Sequence, residues 1–311
     1  MSIHVVKSGL QTSVQDNGRF AQMCNGIAVS GAMDSTAMQL ANYLVSNPLN
    51  HPVLEITLTG PVIEFTQATS IAIVGAEFDL FLNGNLVFNE ETIKVKSGDL
   101  LEFGRLNEGA RAYLAIAADF NLQRLFDSSS TNLTAHFGGC LLTDNSQLQL
   151  QNYRQPPDKQ LPPTFHLSFS GNYLLRCVDS VETHWFDQTT LEQFTQKKYQ
   201  VQADSNRMGI RLQETGLSTA ILPDKQQQVI SSGLVCGSIQ IPPSANPIIA
   251  GVDAQTIGGY PRIANVASVD LPILGQLKPN DKLSFYFIEQ SQAVTLIRYK
   301  QKLLSQLFNN A

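Results

Sequence analysis

Short runs of β-branched and aromatic residues, broken by turn residues roughly every ten positions, dominate this chain, and that spacing predicts an all-β barrel or sandwich. VLEITLTGPVIEFT (Val53 to Thr66), SIAIVGAEFDLFLNGNLVF (Ser70 to Phe88) and ETIKVKSGDLLEFG (Glu91 to Gly104) carry the pattern. Inside the second run, Asn83-Gly84 is followed by Asn85. Asn and Gly tolerate positive φ, so a hairpin turn is expected there. One helix interrupts the strands. From Ser35 to Val45, Ala37, Leu40, Ala41 and Leu44 recur at three- and four-residue spacing, with Asp34 placed to cap the start and Asn47-Pro48 to end it. Shorter helices are expected at Thr189 to Thr195, with Leu191 and Phe194 inward, and at Leu122 to Phe126.

The 311 residues suit two domains. Between Tyr153 and Pro163 the chain reads YRQPPDKQLPP, four prolines in eleven residues. Proline lacks the donor a central strand needs and extends its predecessor. A semi-rigid linker at 156–162 therefore separates an expected domain 1–155 from a second, 163–311. VKSGDLLEF (Val95 to Phe103) and LKPNDKLSF (Leu277 to Phe285) echo each other late in each half. A tandem pair of related barrels would produce this repeat, as would convergent turn chemistry.

Charged residues make up 15% of the chain, against about 25% in a typical soluble domain. Low surface charge fits a subunit that buries part of itself on another chain. The net charge of −5 and the lack of a basic run disfavour nucleic acid as a partner. MSIHVVKSGLQTSVQD is unlike a signal peptide, and no apolar stretch is long enough to span a membrane. A soluble, cytoplasmic protein is expected. Cys24, Cys140, Cys177 and Cys236 form no CxxC, and His4, His51, His136, His166 and His184 show no metal-ligand spacing, so no metal site is expected. Cys140 and Cys236 sit beside glycine, which leaves a nucleophilic role open beside that of isolated thiols. A Walker loop and a GxSxG elbow are both missing.

Eight segments in order carry a family resemblance. They are GLQTSVQDNGR (Gly9 to Arg19), VSGAMDSTAMQLANYLVSN (Val29 to Asn47), LEITLTGP (Leu54 to Pro61), IAIVGAEF (Ile71 to Phe78), SNRMGIRL (Ser205 to Leu212), GLVCGSIQIPP (Gly233 to Pro243), DAQTIGGYPRIANV (Asp253 to Val266) and DLPILGQLKPNDKLSF (Asp270 to Phe285). Together they resemble the family that takes in the C-type subunit of 5-oxoprolinase, allophanate hydrolase subunit 2 and the biotin-dependent carboxyltransferases, from Gly9 to about Ile288. The resemblance implies two tandem cyclophilin-like β-barrels with a few short helices. It also implies two settings. In one, the protein works with B-type and A-type subunits to open 5-oxoproline to glutamate using ATP. In the other, it moves a carboxyl group from carboxybiotin to urea or a similar amide. No Met-Lys-Met biotin acceptor occurs, so biotin would arrive on another chain.

The chain departs from the family pattern in its first half. Ala118-Asp119 stands where relatives carry two glycines. DSSST (Asp127 to Thr131) puts Ser129 where they carry arginine, and GGCLL (Gly138 to Leu142) lacks the usual Gly-Arg. Two fixed cationic donors for a carboxylate or phosphate are thereby lost. Gln15, Asp16 and Arg19 around Gly18 are the substrate-binding candidates left in this half. The amides at the start of the first helix could bind an anion, or Asp34 could simply cap them.

The second half keeps its motifs. In DAQTIGGYPRIANV, Asp253, Gln255 and Tyr260 are the catalytic candidates, and Thr256, Gly258 and Gly259 are binding candidates. The two glycines would allow backbone geometry closed to other residues and let main-chain amides approach a ligand, or would only relieve a tight turn. Arg207 and Arg211, four apart, would share a strand face and grip a carboxylate, unless they lie in solvent or pair with Glu214. Gln240 before two prolines is an orienting amide. These residues suit a lactam or the ureido ring of biotin. The expected function is a 5-oxoprolinase subunit, inactive alone. Carboxyl transfer from biotin, or non-catalytic regulation of a kinase-inhibitor-like B-type partner, are the alternatives.

Overall fold

The apolar runs become strands, because alternation buries one face of each and the turn residues between them accept the backbone angles that reverse the chain. A computed structural model describes residues 2–216, 220–223 and 230–309. The chain divides into two units, Met1–Gln22 with Val29–Ser170, and Met23–Ala28 with Gly171–Ala311. The proline-rich segment 156–162 is therefore part of the first unit rather than a linker between domains. Lys159 C=O accepts from Thr92 N–H at 2.8 Å, Leu161 N–H donates to Glu90 C=O at 3.0 Å, and the Leu161 side chain is buried. Beyond it, Leu167 N–H and Phe169 N–H donate to the carboxylates of Glu90 and Glu108. These bonds carry the first unit on to Ser170.

The first unit holds ten strands: β1 (Ser2–Lys7), β2 (Gln11–Gln15), β3 (Val53–Thr57), β4 (Val62–Phe65), β5 (Thr69–Leu82), β6 (Asn85–Val87), β7 (Ile93–Val95), β8 (Leu100–Ile116), β9 (Asp119–Phe120) and β10 (Ser146–Gln151). They form a half-barrel whose path runs β2-β3-β8-β4-β1-β10-β9, with β5 pairing β6, β7 and β8. The long β5–β8 ladder pairs Ile71 with Ile116 and Leu82 with Leu101, and shifts register between Gly75 and Leu80, where bulges add bend. Asn83 (φ 51°) and Gly84 (φ 79°) are both left-handed, as a two-residue hairpin between Leu82 and Asn85 requires. The core gathers Ile3, Val5, Leu54, Ile56, Ile63, Phe65, Ile73 and Leu114. Helix α1 (Ser35–Leu44) packs on β5 and β8, and Asp34 caps it by accepting from Ala37 N–H at 2.9 Å.

The second unit contains a closed barrel, ordered β11-β18-β15-β16-β13-β12-β19. Its strands are β11 (Asn172–Val178), β12 (Tyr199–Val201), β13 (Gly209–Glu214), β15 (Ser238–Gln240), β16 (Ile248–Ala250), β18 (Arg262–Val266) and β19 (Lys282–Phe287), while β14 (Ser232–Gly233) and β17 (Ile257–Gly258) make a separate two-stranded ribbon. β11 and β19 run parallel and close the barrel, with Leu175 opposite Phe285. Phe194, on α2 (Gln188–Gln196), stacks on Phe285 at 4.6 Å between ring centroids. The chain then adds α3 (Leu271–Leu274) and α4 (Gln290–Asn309).

A further reading from sequence needs correction. Leu122 to Phe126 is not helical: Phe126 sits at φ 52° and Leu125 bridges Ser128, so the segment turns back on itself. Among the described residues the α-helices are few, four in all, and α4 with twenty residues is the longest. The echoed turns do share one chemistry. Asp99 accepts from Lys96 N–H at 2.7 Å before β8, and Asp281 accepts from Lys278 N–H at 3.0 Å before β19. Among the described residues no helix is long and apolar enough to cross a membrane.

Candidate functional site

In the second unit, β13, β15 and β16 border a cavity of about 210 Å³. Its polar lining is four side chains: Asn206, Arg211, Gln240 and Gln255, with Met208 and Leu234 among the apolar ones. Each is set by local structure. Asn206 and Gly209 exchange backbone hydrogen bonds in a tight turn, and Asn206 Oδ1 accepts from Met208 N–H at 2.8 Å, which leads into β13. Gln240 ends β15, opposite Ile248 and Arg262. Gln240 is 8% exposed as a residue, and it lines the cavity.

Arg207 and Arg211 do not converge. Arg207 is buried and grips both oxygens of Asp253, Nε to Oδ2 at 2.8 Å and Nη2 to Oδ1 at 3.1 Å. Arg211 stands out at the cavity and pairs with exposed Asp204 at 3.1 Å. The strand reading failed because β13 starts at Gly209, so Arg207 lies on the preceding turn and alternation does not reach it. An exposed pair of this kind contributes little, about 0–1 kcal/mol, so Arg211 can exchange Asp204 for a ligand carboxylate at small cost.

The catalytic candidates separate likewise. Gln255 is exposed and lines the cavity, whereas Asp253 is outside its lining, with its charge matched by Arg207. Tyr260, 45% exposed, and Gly259 also stand outside that lining. Thr256 is buried behind it and accepts through its carbonyl from Leu234 N–H at 2.9 Å. Neither Gly258 nor Gly259 has positive φ, so backbone freedom does not explain them. Close approach does for Gly258. A Cβ there would lie 2.6 Å from Gln240 Nε2. Cys236 is a poor nucleophile, because burial pushes its thiol up to about 12, with Arg207 opposing and Asp253 adding to the rise. Burial also raises the Cys140 thiol.

The candidates of the first unit gather around the DSSST segment. Asp16 Oδ1 accepts from Gly18 N–H at 2.8 Å, Ser128 Oγ at 2.7 Å and Ser130 Oγ at 2.5 Å, and Oδ2 accepts from Ser129 N–H at 2.6 Å. Gln15 donates to Ser13 Oγ and to the Thr131 carbonyl. Arg19, buried, donates to the Ser130 carbonyl and lies 4.9 Å from the Phe137 ring centroid. All three thus hold the DSSST segment in place. Gly138 completes the fit: a Cβ there would lie 2.4 Å from the Ser130 carbonyl.

Sequence reasoning passed over Asn206, Glu182 and Arg262. The last two form a buried ion pair, Nη2 to Oε1 at 2.5 Å. An arginine opening the apolar strand Arg262–Val266 was the available signal. A larger open cleft of about 1210 Å³ lies where β11 and β19 end, bordered by the 3-10 turn Thr183–Trp185, α2 and the start of α4. Among the described residues no cluster of His, Cys, Asp and Glu could hold a metal.

Comparison with known proteins places this geometry in a family. The chain is 32% identical to the C-type subunit of 5-oxoprolinase from Escherichia coli K12, over 98% of this chain and 97% of that protein. It is 28% identical to urea amidolyase of Saccharomyces cerevisiae over 91% of this chain, but spans only 16% of that protein. Among solved structures, the urea carboxylase of Kluyveromyces lactis superposes with a TM-score of 0.90 at 27% identity, over 98% of this chain and 29% of that one. The model of the family "Carboxyltransferase domain, subdomain A and B" matches residues 25–287, and the chain belongs to that family.

Proposed function

We propose that this chain is a subunit of an ATP-dependent 5-oxoprolinase, which binds 5-oxoproline and helps activate it for ring opening to glutamate. The observation that carries the reading is a small cavity that brings the Gln240 and Gln255 amides together with Arg211, in a chain 32% identical to the C-type subunit of 5-oxoprolinase over 98% of its length. A lactam presents one N–H and one C=O on adjacent atoms, and a primary amide offers the complementary acceptor and donor. Gln240 would pair with that edge, Gln255 and Asn206 would complete the polar wall, and Arg211 would take the substrate carboxylate. An amide resists water, so coupling to ATP makes chemical sense. Phosphorylation of the lactam oxygen, with ADP leaving, turns the ring carbon into an electrophile. One water adds there and the ring C–N bond breaks to leave an acyl phosphate, from which a second water releases phosphate and the glutamate carboxylate. ATP and the hydrolytic groups come with B-type and A-type partner subunits, which makes the isolated chain inactive.

Purified chain, mixed with both partner subunits, ATP and 5-oxoproline, should release ADP and glutamate. Arg211→Ala should raise KM for 5-oxoproline by about ten-fold or more, the loss of a charge-assisted pair. If the Escherichia coli subunits turned over in parallel while this set did not, the reading would be wrong for this protein. Co-purification with a B-type partner and no turnover would instead point to regulation. A second reading rests on the urea carboxylase superposition: transfer of a carboxyl group from biotin on another chain to urea or a similar amide. Bicarbonate-dependent ATP use with a biotinylated carrier, and none with 5-oxoproline, would select it.

A further inference from the structure

One wall of the Gln240 cavity hangs on an ion pair that does not face it. Arg262 opens β18, and Glu182 precedes the 3-10 turn Thr183–Trp185. Both are buried. The guanidinium takes both carboxylate oxygens, Nε to Oε2 at 2.6 Å and Nη2 to Oε1 at 2.5 Å. Its other bonds reach into β14: Nη1 donates to the Gly233 carbonyl at 2.5 Å and Nη2 to Ser232 Oγ at 2.9 Å.

β14 pairs with β17, Ser232 opposite Gly258 and Gly233 opposite Ile257. A two-residue ribbon outside the barrel ladder has little stability of its own, since isolated hairpins are marginal in water. Yet the residues that flank this ribbon border the cavity: Leu234 follows β14 and Gln255 precedes β17, and both line it. Gly258 sets how close the ribbon comes to the Gln240 amide. On its other side, Glu182 runs into Thr183 and His184, which line the larger cleft, and Thr183 Oγ1 donates to the Ile263 carbonyl on β18 at 2.8 Å.

We infer that Glu182 and Arg262 are a positioning pair that fixes the β14–β17 ribbon against Gln240, and so sets the shape of the small cavity and links it to the Thr183–Trp185 turn. The ligand side of this inference rests on the reading of that cavity as the 5-oxoproline site. The fork matters as much as the charge. Lysine at 262 would keep the cation but could not hold two carboxylate oxygens, a carbonyl and a hydroxyl together.

Two measurements on the full chain test the pair. In hydrogen exchange, Arg262→Lys should speed the amides of residues 232–234 and 257–258 by about ten-fold or more, with β11 and β19 protected as in the wild type. In the assembled enzyme the same variant should raise KM for 5-oxoproline by about ten-fold with little change in kcat, and Glu182→Gln should do likewise. Trp185, the only tryptophan, should change its emission when 5-oxoproline binds, and lose that response in the variant. If Arg262→Lys fails to fold, Ser232→Ala removes one arm alone and should give the same pattern more weakly. Wild-type exchange in the ribbon together with wild-type KM would overturn the inference. If the wild-type protein binds no 5-oxoproline, the functional reading falls, and ribbon exchange still decides the positioning role.

Discussion

The buried pair Arg207–Asp253 offers a quantitative test of the idea that the most prominent acidic residue of the second-half motif holds the cavity together rather than reacts. The two side chains are 3% and 0% exposed, and two hydrogen bonds join them. The backbone is tied at the same place: Asp253 N–H donates to the Arg207 carbonyl at 3.0 Å, and a Cβ at Gly251 would lie 2.2 Å from that carbonyl oxygen. Removing one member of a pair this deep leaves the other charge buried without its counterion, a loss of about 3–5 kcal/mol. Asp253→Leu and Arg207→Met should each fall in that range. The double variant should cost clearly less than their sum, because it leaves no uncompensated charge.

Trp185 makes the assay local. It is the only tryptophan and belongs to the second unit, so its emission during urea unfolding reports that unit without assuming that both units unfold together. Single variants that cost under about 1 kcal/mol, or a double variant that costs the full sum, would refute the argument that the pair is a buried strut. A soluble, fully folded Asp253→Leu protein with wild-type stability and no turnover would restore Asp253 as a reacting group.

Gly258→Ala should fold, since φ there is not positive, yet it should weaken 5-oxoproline binding by about ten-fold or more in a direct binding titration, because the new methyl displaces the end of the Gln240 side chain. Stability of the first unit should fall as pH drops below 6.5. Burial, the largest influence, lowers the His51 pKa from 6.5, although the Ala118 carbonyl at 3.0 Å and Asp119 at 3.9 Å oppose it and Arg154 adds to it. The unfolded state then binds a proton that the folded ring resists, so stability is whole above 6.5 and is lost as pH falls toward the lowered folded value. Melting temperature followed against pH should slope less in His51→Gln, and an unchanged slope would rule His51 out as the cause.

Much of the fold was legible because it follows from local rules. Hairpin, first helix and echoed turns each depend on a few neighbouring residues: left-handed Asn83-Gly84, Asp34 on Ala37 N–H, and an aspartate that accepts from the amide three residues back. The proline-rich segment misled for a related reason. Proline does forbid a central strand, but it does not forbid docking, and the residues that dock it, Glu90 and Thr92, lie far away in sequence. Helix α4 is harder to read: Ala293, Ile297, Leu304 and Leu307 recur at helical spacing, but of its residues only Leu307 is buried, so its apolar face is weakly marked.

The site was legible by residue type and not by partner. Of the residues that the motifs single out, Gln240, Gln255 and Arg211 line the cavity. Arg207, Asp253, Gln15, Asp16 and Arg19 have the same suitable chemistry, but each is held by contacts within the protein that no spacing rule reveals. Asp16 shows how far such contacts can go: it holds the Ser129 backbone N–H and accepts three more bonds around it. Arg211 of the second unit differs in exposure: it keeps an exposed guanidinium at a cavity, paired with the exposed Asp204.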